Sequence, residues 1–280
     1  MAATMSSCAG LAEKIDSLTH KGRFHLNPLQ NQDTPAPRTM VVTGAGSGIG
    51  RAVTRRMLAA GWNVVLAGRR EAQLHETADN HPNALVVPTD ITDPLAVERL
   101  FLAGIERFNR IDALFNNAGV FGPAATIGEL SAQQWQEVCA VNLNGAMFCA
   151  GAAFRHMQES GGGRIINNGS ISAQVPRPAS TAYAVTKHAI NGLTKSIELD
   201  GRPYGIACSQ VDIGNAASEM MKDVGATSGA LQADGSRKIE PTFDMDQAAA
   251  TIEFIASAPA EVSINNITIT AAGMPFIGRG

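Results

Sequence analysis

Tyr183 and Lys187 stand four residues apart in "STAYAVTKHAI", residues 180–190, a stretch without proline whose composition is compatible with a helix. Residues i and i+4 of a helix lie one above the other on the same face, so the phenol and the amine can converge on one point. A free tyrosine has a pKa of about 10 and is a weak base at neutral pH. One positive charge at about 4–5 Å, in an effective dielectric of about 20, contributes roughly 3–4 kcal/mol, enough to move the phenol by about 2–3 in pKa. The spacing points to a proton-transferring phenol tuned by an ammonium. The plainer alternative is an amphipathic helix face with no chemistry.

A second constellation lies near the start of the regular pattern. "VVTGAGSGIGRAV" offers a strand, a turn carrying Gly44, Ser47, Gly48, Ile49 and Gly50, and then a helix. Glycines permit positive φ and close backbone approach, so the N–H groups opening the helix can face a diphosphate whose charge the helix dipole favours. Taken alone, the turn is equally compatible with being only a turn. At the end of the next strand, "VVLAGRRE" has Gly68, Arg69 and Arg70 where a carboxylate would bind adenosine ribose hydroxyls. A guanidinium there suits a 2′-phosphate instead, with Arg69 as the contact. The alternative is that both arginines merely solvate the start of a helix.

These groups need a scaffold. Short β-branched or apolar runs ("MVVTG", "NVVLAG", "ALVVPTD", "IDALFNN", "RIINNGS", "IACSQVD", "NITITAA") alternate with helix-compatible segments at about 48–60, 70–79, 94–109, 131–159, 180–200 and 245–257. Apolar strands separated by helices predict a parallel sheet covered on both faces, a doubly wound α/β fold. Ser170 then falls at the C-terminal end of the fifth strand, where open α/β sheets bind ligands. Residues 1–37 are polar and contain prolines, and read as an N-terminal extension, either a mobile tail or an arm that docks on a neighbouring subunit. Residues 38–280 form the single expected catalytic domain.

Composition narrows the function classes. A net charge of −3 with 17% charged residues gives no broad basic field for nucleic acid or anionic lipid. Four scattered cysteines and six histidines show no metal-ligand spacing, so no metal is expected. No apolar run approaches the roughly 18 residues of a membrane span, and the first 30 residues lack the order of a secretory signal. The expectation is a cytoplasmic protein without membrane or nucleic-acid partners.

Together with Thr43, the glycine turn reads TGxxxGxG and resembles that of the short-chain dehydrogenase/reductase family. "NNAG" at 116–119, "VNLNG" with Asn142, "GSIS" with Ser170 and "YAVTK" with Tyr183 and Lys187 follow in that family's order and intervals, over about residues 40–280. The resemblance implies a seven-stranded Rossmann-type sheet in the order 3-2-1-4-5-6-7, a nicotinamide cofactor, and a homodimer or homotetramer. It also implies that Ser170 polarises a substrate oxygen and that Tyr183 exchanges a proton with it. Lys187 would grip the nicotinamide ribose, and Asn142, at a helix kink, would hold a water leading to Lys187. Asp90 would meet the adenine amine, Ile91 its ring, and Asn117, Ala118 and Gly119 the adenosine ribose. Asn116 reads equally as a tie between strands, and Ser172 is a neighbouring alternative to Ser170.

The pattern departs from the family after the sixth strand. "VDIGNAASEM" replaces the usual Pro-Gly-x-Val/Ile-x-Thr. Aligned on Gly214, Ala216 keeps a backbone contact to the nicotinamide carboxamide and Ser218 a hydroxyl, but loss of the proline leaves the turn less pre-set. Asp212 either caps the following turn or meets a polar substrate group. A substrate lid is expected at about 213–241, with Met220 and Met221 fitting a moderately apolar substrate. The expected function is NADP(H)-dependent interconversion of a carbonyl and a secondary alcohol, with NAD(H) as the other cofactor choice. The alternatives are a redox-neutral isomerase or lyase on the same scaffold and a catalytically idle NADP-binding regulator.

Overall fold

The computed structural model describes residues 36–218, 229–232 and 234–277. The expected N-terminal extension, apart from its last two residues, and residues 219–228 and 233 of the expected lid, including Met220 and Met221, lie outside the described residues.

In chain order the elements are β1 (Thr39–Thr43), α1 (Gly48–Ala59), β2 (Asn63–Gly68), α2 (Glu71–Ala78), β3 (Ala84–Pro88), α3 (Pro94–Phe108), β4 (Ala113–Asn116) and α4 (Ala132–Cys139). A π-turn over Ala140–Gly145 leads into α5 (Ala146–Glu159), followed by β5 (Gly163–Asn168), α6 (Thr181–Gly201) and β6 (Ile206–Gly214). A short antiparallel pair, β7 (Ala230–Leu231) and β8 (Arg237–Lys238), precedes α7 (Met245–Ser257) and β9 (Asn266–Thr270). Seven strands form one sheet in the order β3-β2-β1-β4-β5-β6-β9, the predicted arrangement, and every pairing in it is parallel.

Alternation along the central strands builds two cores. Met40 and Val42 of β1, Val64 and Leu66 of β2, and Phe115 of β4 face one side, against Val53 and Met57 of α1 and Ile252 and Ile255 of α7. Val41, Val65 and Leu114 point the other way, onto Leu100 of α3, Cys149 and Met157 of α5 and Ile197 of α6. Each fully buried Leu, Val or Phe contributes about 1.5–3 kcal/mol. This two-sided burial is why the strands read as continuous apolar runs.

Helix starts are set locally. Asp93 accepts a hydrogen bond from Leu95 N at 2.8 Å with Pro94 at the first helical position of α3, and Ser131 and Gln134 form a capping box on α4. The expected single helix over 131–159 is interrupted by the π-turn, which carries Asn142. The continuous stretch Ala132–Glu159 is long and apolar enough to cross a membrane by length and composition. Its buried side chains Cys149, Ala150, Ala153 and Met157 are spent on the sheet.

Candidate active site

The turn after β1 is built of glycines at which a side chain would be strained or crowded. Gly44 and Gly48 adopt φ +67° and +54°, and a Cβ on Gly50 would come within 2.3 Å of the Gly44 carbonyl oxygen. Ser47 precedes α1 without its side chain capping it, so the N–H groups opening the helix are left to face outward. Thr43 Oγ1 accepts from Asn117 N at 2.9 Å and Ala118 N at 3.0 Å, tying the end of β1 to the segment after β4. Asn117 Nδ2 donates to the Thr43 carbonyl at 2.8 Å. Asn116 is the structural tie: its Nδ2 donates to Ala146 O at 2.7 Å and to Asn167 Oδ1 at 3.2 Å.

One cavity of about 320 Å³ runs from this turn to the Tyr183 hydroxyl. Its outer wall holds Gly44, Ser47, Gly48, Ile49, Arg69, Arg70, Asp90, Ile91 and Ser218, its middle Asn117, Ala118 and Gly119, and its inner end Ser170, Tyr183, Lys187 and Ala216. Of the expected residues, Gly50, Asn142 and Gly214 stand behind this lining. Ile171, itself in the lining, packs against Gly214, where a Cβ would meet its Cγ2 at 2.9 Å. Ser218 stands over the glycine turn, 3.8 Å from where a Gly48 Cβ would be. Asp90 Oδ1 accepts from Thr92 N at 3.0 Å, and this backbone bond is the main reason its carboxyl lies below the usual range.

The cavity fits an elongated diphosphate cofactor: glycines where a Cβ has no room, an open helix start, and an arginine at the end of β2. Two acceptors on residues of its wall, Gln73 Oε1 and Asn168 Oδ1, are buried without a hydrogen-bond partner.

At the inner end, α6 places Tyr183 and Lys187 as the spacing predicted. Lys187 Nζ donates to the Asn168 carbonyl at 2.7 Å and lies 5.7 Å from the centre of the Tyr183 ring. The electrostatics differ from the expectation. Burial pushes the Tyr183 phenol above its ordinary pKa, against a hydrogen bond with Ser170 that pulls it down. Burial also pulls Lys187 down, to about 8. Desolvation penalises both charged forms, so the buried pair favours a protonated phenol rather than a phenolate.

Asn142 is held by its amide: Oδ1 accepts from Val120 N at 2.8 Å, and Nδ2 donates to Val120 O at 2.8 Å and Thr186 Oγ1 at 3.2 Å. Both ends of the side chain are therefore spent on protein partners. Asp212 does not cap the turn after β6; its carboxylate accepts from Ser170 N at 3.1 Å and Gln174 Nε2 at 2.8 Å.

A polar clamp replaces the missing proline. Asn215 adopts φ +56°, its Nδ2 donates to Glu240 Oε2 at 2.8 Å, and Arg177 NH2 donates to its Oδ1 at 2.9 Å. Arg177 and Glu240 form a buried two-pronged ion pair at 2.6 and 3.1 Å. Burial alone would raise the Glu240 carboxyl, but hydrogen bonds from Arg177 and Asn215 outweigh it and hold it at about 2. Sequence reading missed Arg177, Asn215 and Glu240, and also Phe121, whose ring lies 4.9 Å from that of Tyr183. Nothing local marks a pair 63 positions apart.

Comparison with known proteins agrees with this geometry. The family described as short chain dehydrogenase matches residues 38–229. A short chain dehydrogenase/reductase of Aspergillus oryzae is 35% identical over 200 residues, covering 68% of this chain and 77% of that one. An uncharacterized oxidoreductase of Staphylococcus aureus is 31% identical over 83% of this chain and 96% of its own. A 3beta-hydroxysteroid dehydrogenase of Mediterraneibacter gnavus is 36% identical over 178 residues, 62% of this chain and 64% of that one. Among solved structures, levodione reductase superposes with a TM-score of 0.73 at 26% identity, over 83% of this chain and 95% of that one. A 3-ketoacyl-(acyl-carrier-protein) reductase from Brucella melitensis complexed with NADH gives 0.75 at 22%, over 84% and 97%. Glycine turn, parallel sheet order and matched relatives converge: the chain belongs to the short-chain dehydrogenase/reductase family and is an oxidoreductase acting on CH–OH or C=O with NAD(P).

Proposed function

We propose that the chain is an NADP(H)-dependent enzyme that interconverts a ketone and a secondary alcohol, with Tyr183 as the proton donor in reduction. The observation that carries this reading is a single cavity whose outer end is a glycine turn beside Arg69 and whose inner end holds Ser170, Tyr183 and Lys187. The bound cofactor supplies or accepts the hydride. Ser170 orients the substrate oxygen toward the Tyr183 hydroxyl, which burial keeps protonated at neutral pH and so ready to donate. Lys187 holds the ribose side of the cofactor and the Asn168 carbonyl together. Asn142 fixes the backbone at Val120, in the segment after β4, and, through Thr186, the first turns of α6. Arg69 is the contact for a 2′-phosphate, an arginine rather than an acidic side chain directly following Gly68.

The wall near Tyr183 combines Val120, Phe121, Ile171, Ile213 and Ala216, which suits a neutral, largely apolar substrate. The name of one relative, a 3beta-hydroxysteroid dehydrogenase, accords with an apolar secondary alcohol. We infer a cytoplasmic homodimer or homotetramer, to be read by sedimentation, and the segment around 213–241 as the lid. Screening apolar ketones and secondary alcohols with NADPH/NADP and NADH/NAD tests the reading. Turnover with net change in nicotinamide absorbance, preferring NADPH and lost in Tyr183→Phe, is the expected result. Turnover without net change points to an isomerase or lyase, and silence with intact cofactor binding to a regulator.

A further inference from the structure

We propose that Asp212 is a positioning residue of the reacting end, its buried carboxylate locking the Ser170 turn and acting as a fixed negative charge on Tyr183 and Lys187. The proposal rests on the reading of Tyr183 as proton donor. Asp212 is completely enclosed. Its Oδ1 accepts from Ser170 N at 3.1 Å and Gln210 Nε2 at 2.7 Å, and its Oδ2 from Gln174 Nε2 at 2.8 Å and Asn266 Nδ2 at 3.4 Å. All four partners are N–H donors of neutral groups, a set that matches the acceptor-only ionised carboxylate and leaves no acceptor for a protonated one. Among the described residues no ion pair neutralises it.

The surroundings are shaped to admit this carboxylate. A Cβ on Gly169 would come within 2.1 Å of Asp212 Oδ1, so the residue before Ser170 has to be glycine for the approach to exist. Two of the four donors, Ser170 N and Gln174 Nε2, belong to the segment that presents the Ser170 hydroxyl, while Gln210 shares β6 with Asp212 and Asn266 lies on β9. The carboxylate therefore stitches the Ser170 turn to two neighbouring strands.

Among the described residues, the charged groups acting on Tyr183 are Asp212 from β6 and Arg177 from the segment before α6, and the group acting on Lys187 is Asp212. Burial is the larger influence on both: it raises the phenol and lowers the amine to about 8, and Asp212 pushes each of them upward. For Lys187 this is a rescue, since a negative charge favours the ammonium against desolvation. Arg177 is already bound to Glu240 and Asn215 and does not replace it.

Lysine titration followed by NMR of protein carrying ¹³C-labelled lysine tests this without substrate or cofactor. The resonance that titrates near pH 8 is assigned by its loss in Lys187→Met. In Asp212→Asn its midpoint is expected to fall by about one pH unit. Gln174→Arg, at an exposed position, brings a guanidinium to the same carboxylate and is expected to shift the midpoint in the same direction. An unmoved midpoint in folded Asp212→Asn overturns the proposal, and if that variant does not fold, an unmoved midpoint in Gln174→Arg does so. The two readings fail separately. A moved midpoint in a protein that reduces no ketone supports the charge and sinks the donor role of Tyr183, while an unmoved midpoint in an active reductase does the opposite.

Discussion

Lys187 Nζ lies 5.7 Å from the centre of the Tyr183 ring while donating to the Asn168 carbonyl at 2.7 Å. The amine thus belongs to the site and pays for its place in desolvation, which lowers it to about 8. Its folded pKa is below the ordinary lysine value of about 10.4, so the unfolded chain binds the extra proton between these pH values and stability rises with pH across that window. Lys187→Met is expected to cut kcat by at least about 100-fold without lowering the melting temperature at pH 7, read by scanning calorimetry beside an activity assay.

Tyr183→Phe removes one hydroxyl from an enclosed site and leaves the ring against Phe121. The expected loss is about 10²–10⁴ in kcat, with cofactor affinity nearly unchanged. Single-turnover kinetics with NADPH would sink the donor role if the rate were retained. Because burial raises the phenol, the reductive rate should hold through neutral pH and decline only in the alkaline range where Tyr183 loses its proton.

Arg69 faces the outer end of the cavity, at the close of β2. Removing a charge-assisted contact to a phosphate typically costs about 1.5–3 kcal/mol, or roughly 10–100-fold in affinity. Arg69→Ala should weaken NADPH binding by that factor and leave NADH almost untouched, as titration calorimetry will show. Equal NADPH affinity in both proteins contradicts the phosphate assignment.

Glu240 is held at about 2 by Arg177 and Asn215, against its burial. A depressed carboxylate stabilises the fold fully above its unfolded pKa of about 4.5 and loses that contribution as pH falls toward the folded value. Glu240→Gln is expected to lose on the order of 3 kcal/mol at pH 7, and to show a flatter stability curve between about pH 4.5 and 2. Urea unfolding across that range measures both effects.

Gly50→Ala would place a methyl within 2.3 Å of the Gly44 carbonyl oxygen, where backbone has to move. The glycine turn should then bind cofactor at least about tenfold more weakly. Fluorescence titration with NADPH is the check, and wild-type affinity in the variant would show that the turn tolerates the methyl.

Most of the scaffold was legible because its signals are local. Strand alternation, the helix lengths and the glycine turn each depend on residues within a few positions, and all seven sheet strands lie where the apolar runs predicted. The π-turn at Ala140–Gly145 was not legible, since its sequence is helix-compatible throughout. Nor was the clamp of Arg177, Asn215 and Glu240, which is created by chain segments 25 to 63 positions apart.

Sequence alone determined the face shared by Tyr183 and Lys187, which follows from helical spacing, and the family, which follows from motifs in register; the order of the strands was implied by that resemblance. Tertiary structure decided the charge state at the reacting end. Burial raises the Tyr183 phenol and lowers the Lys187 amine, and no spacing of residues along a chain reveals how far a site is withdrawn from water.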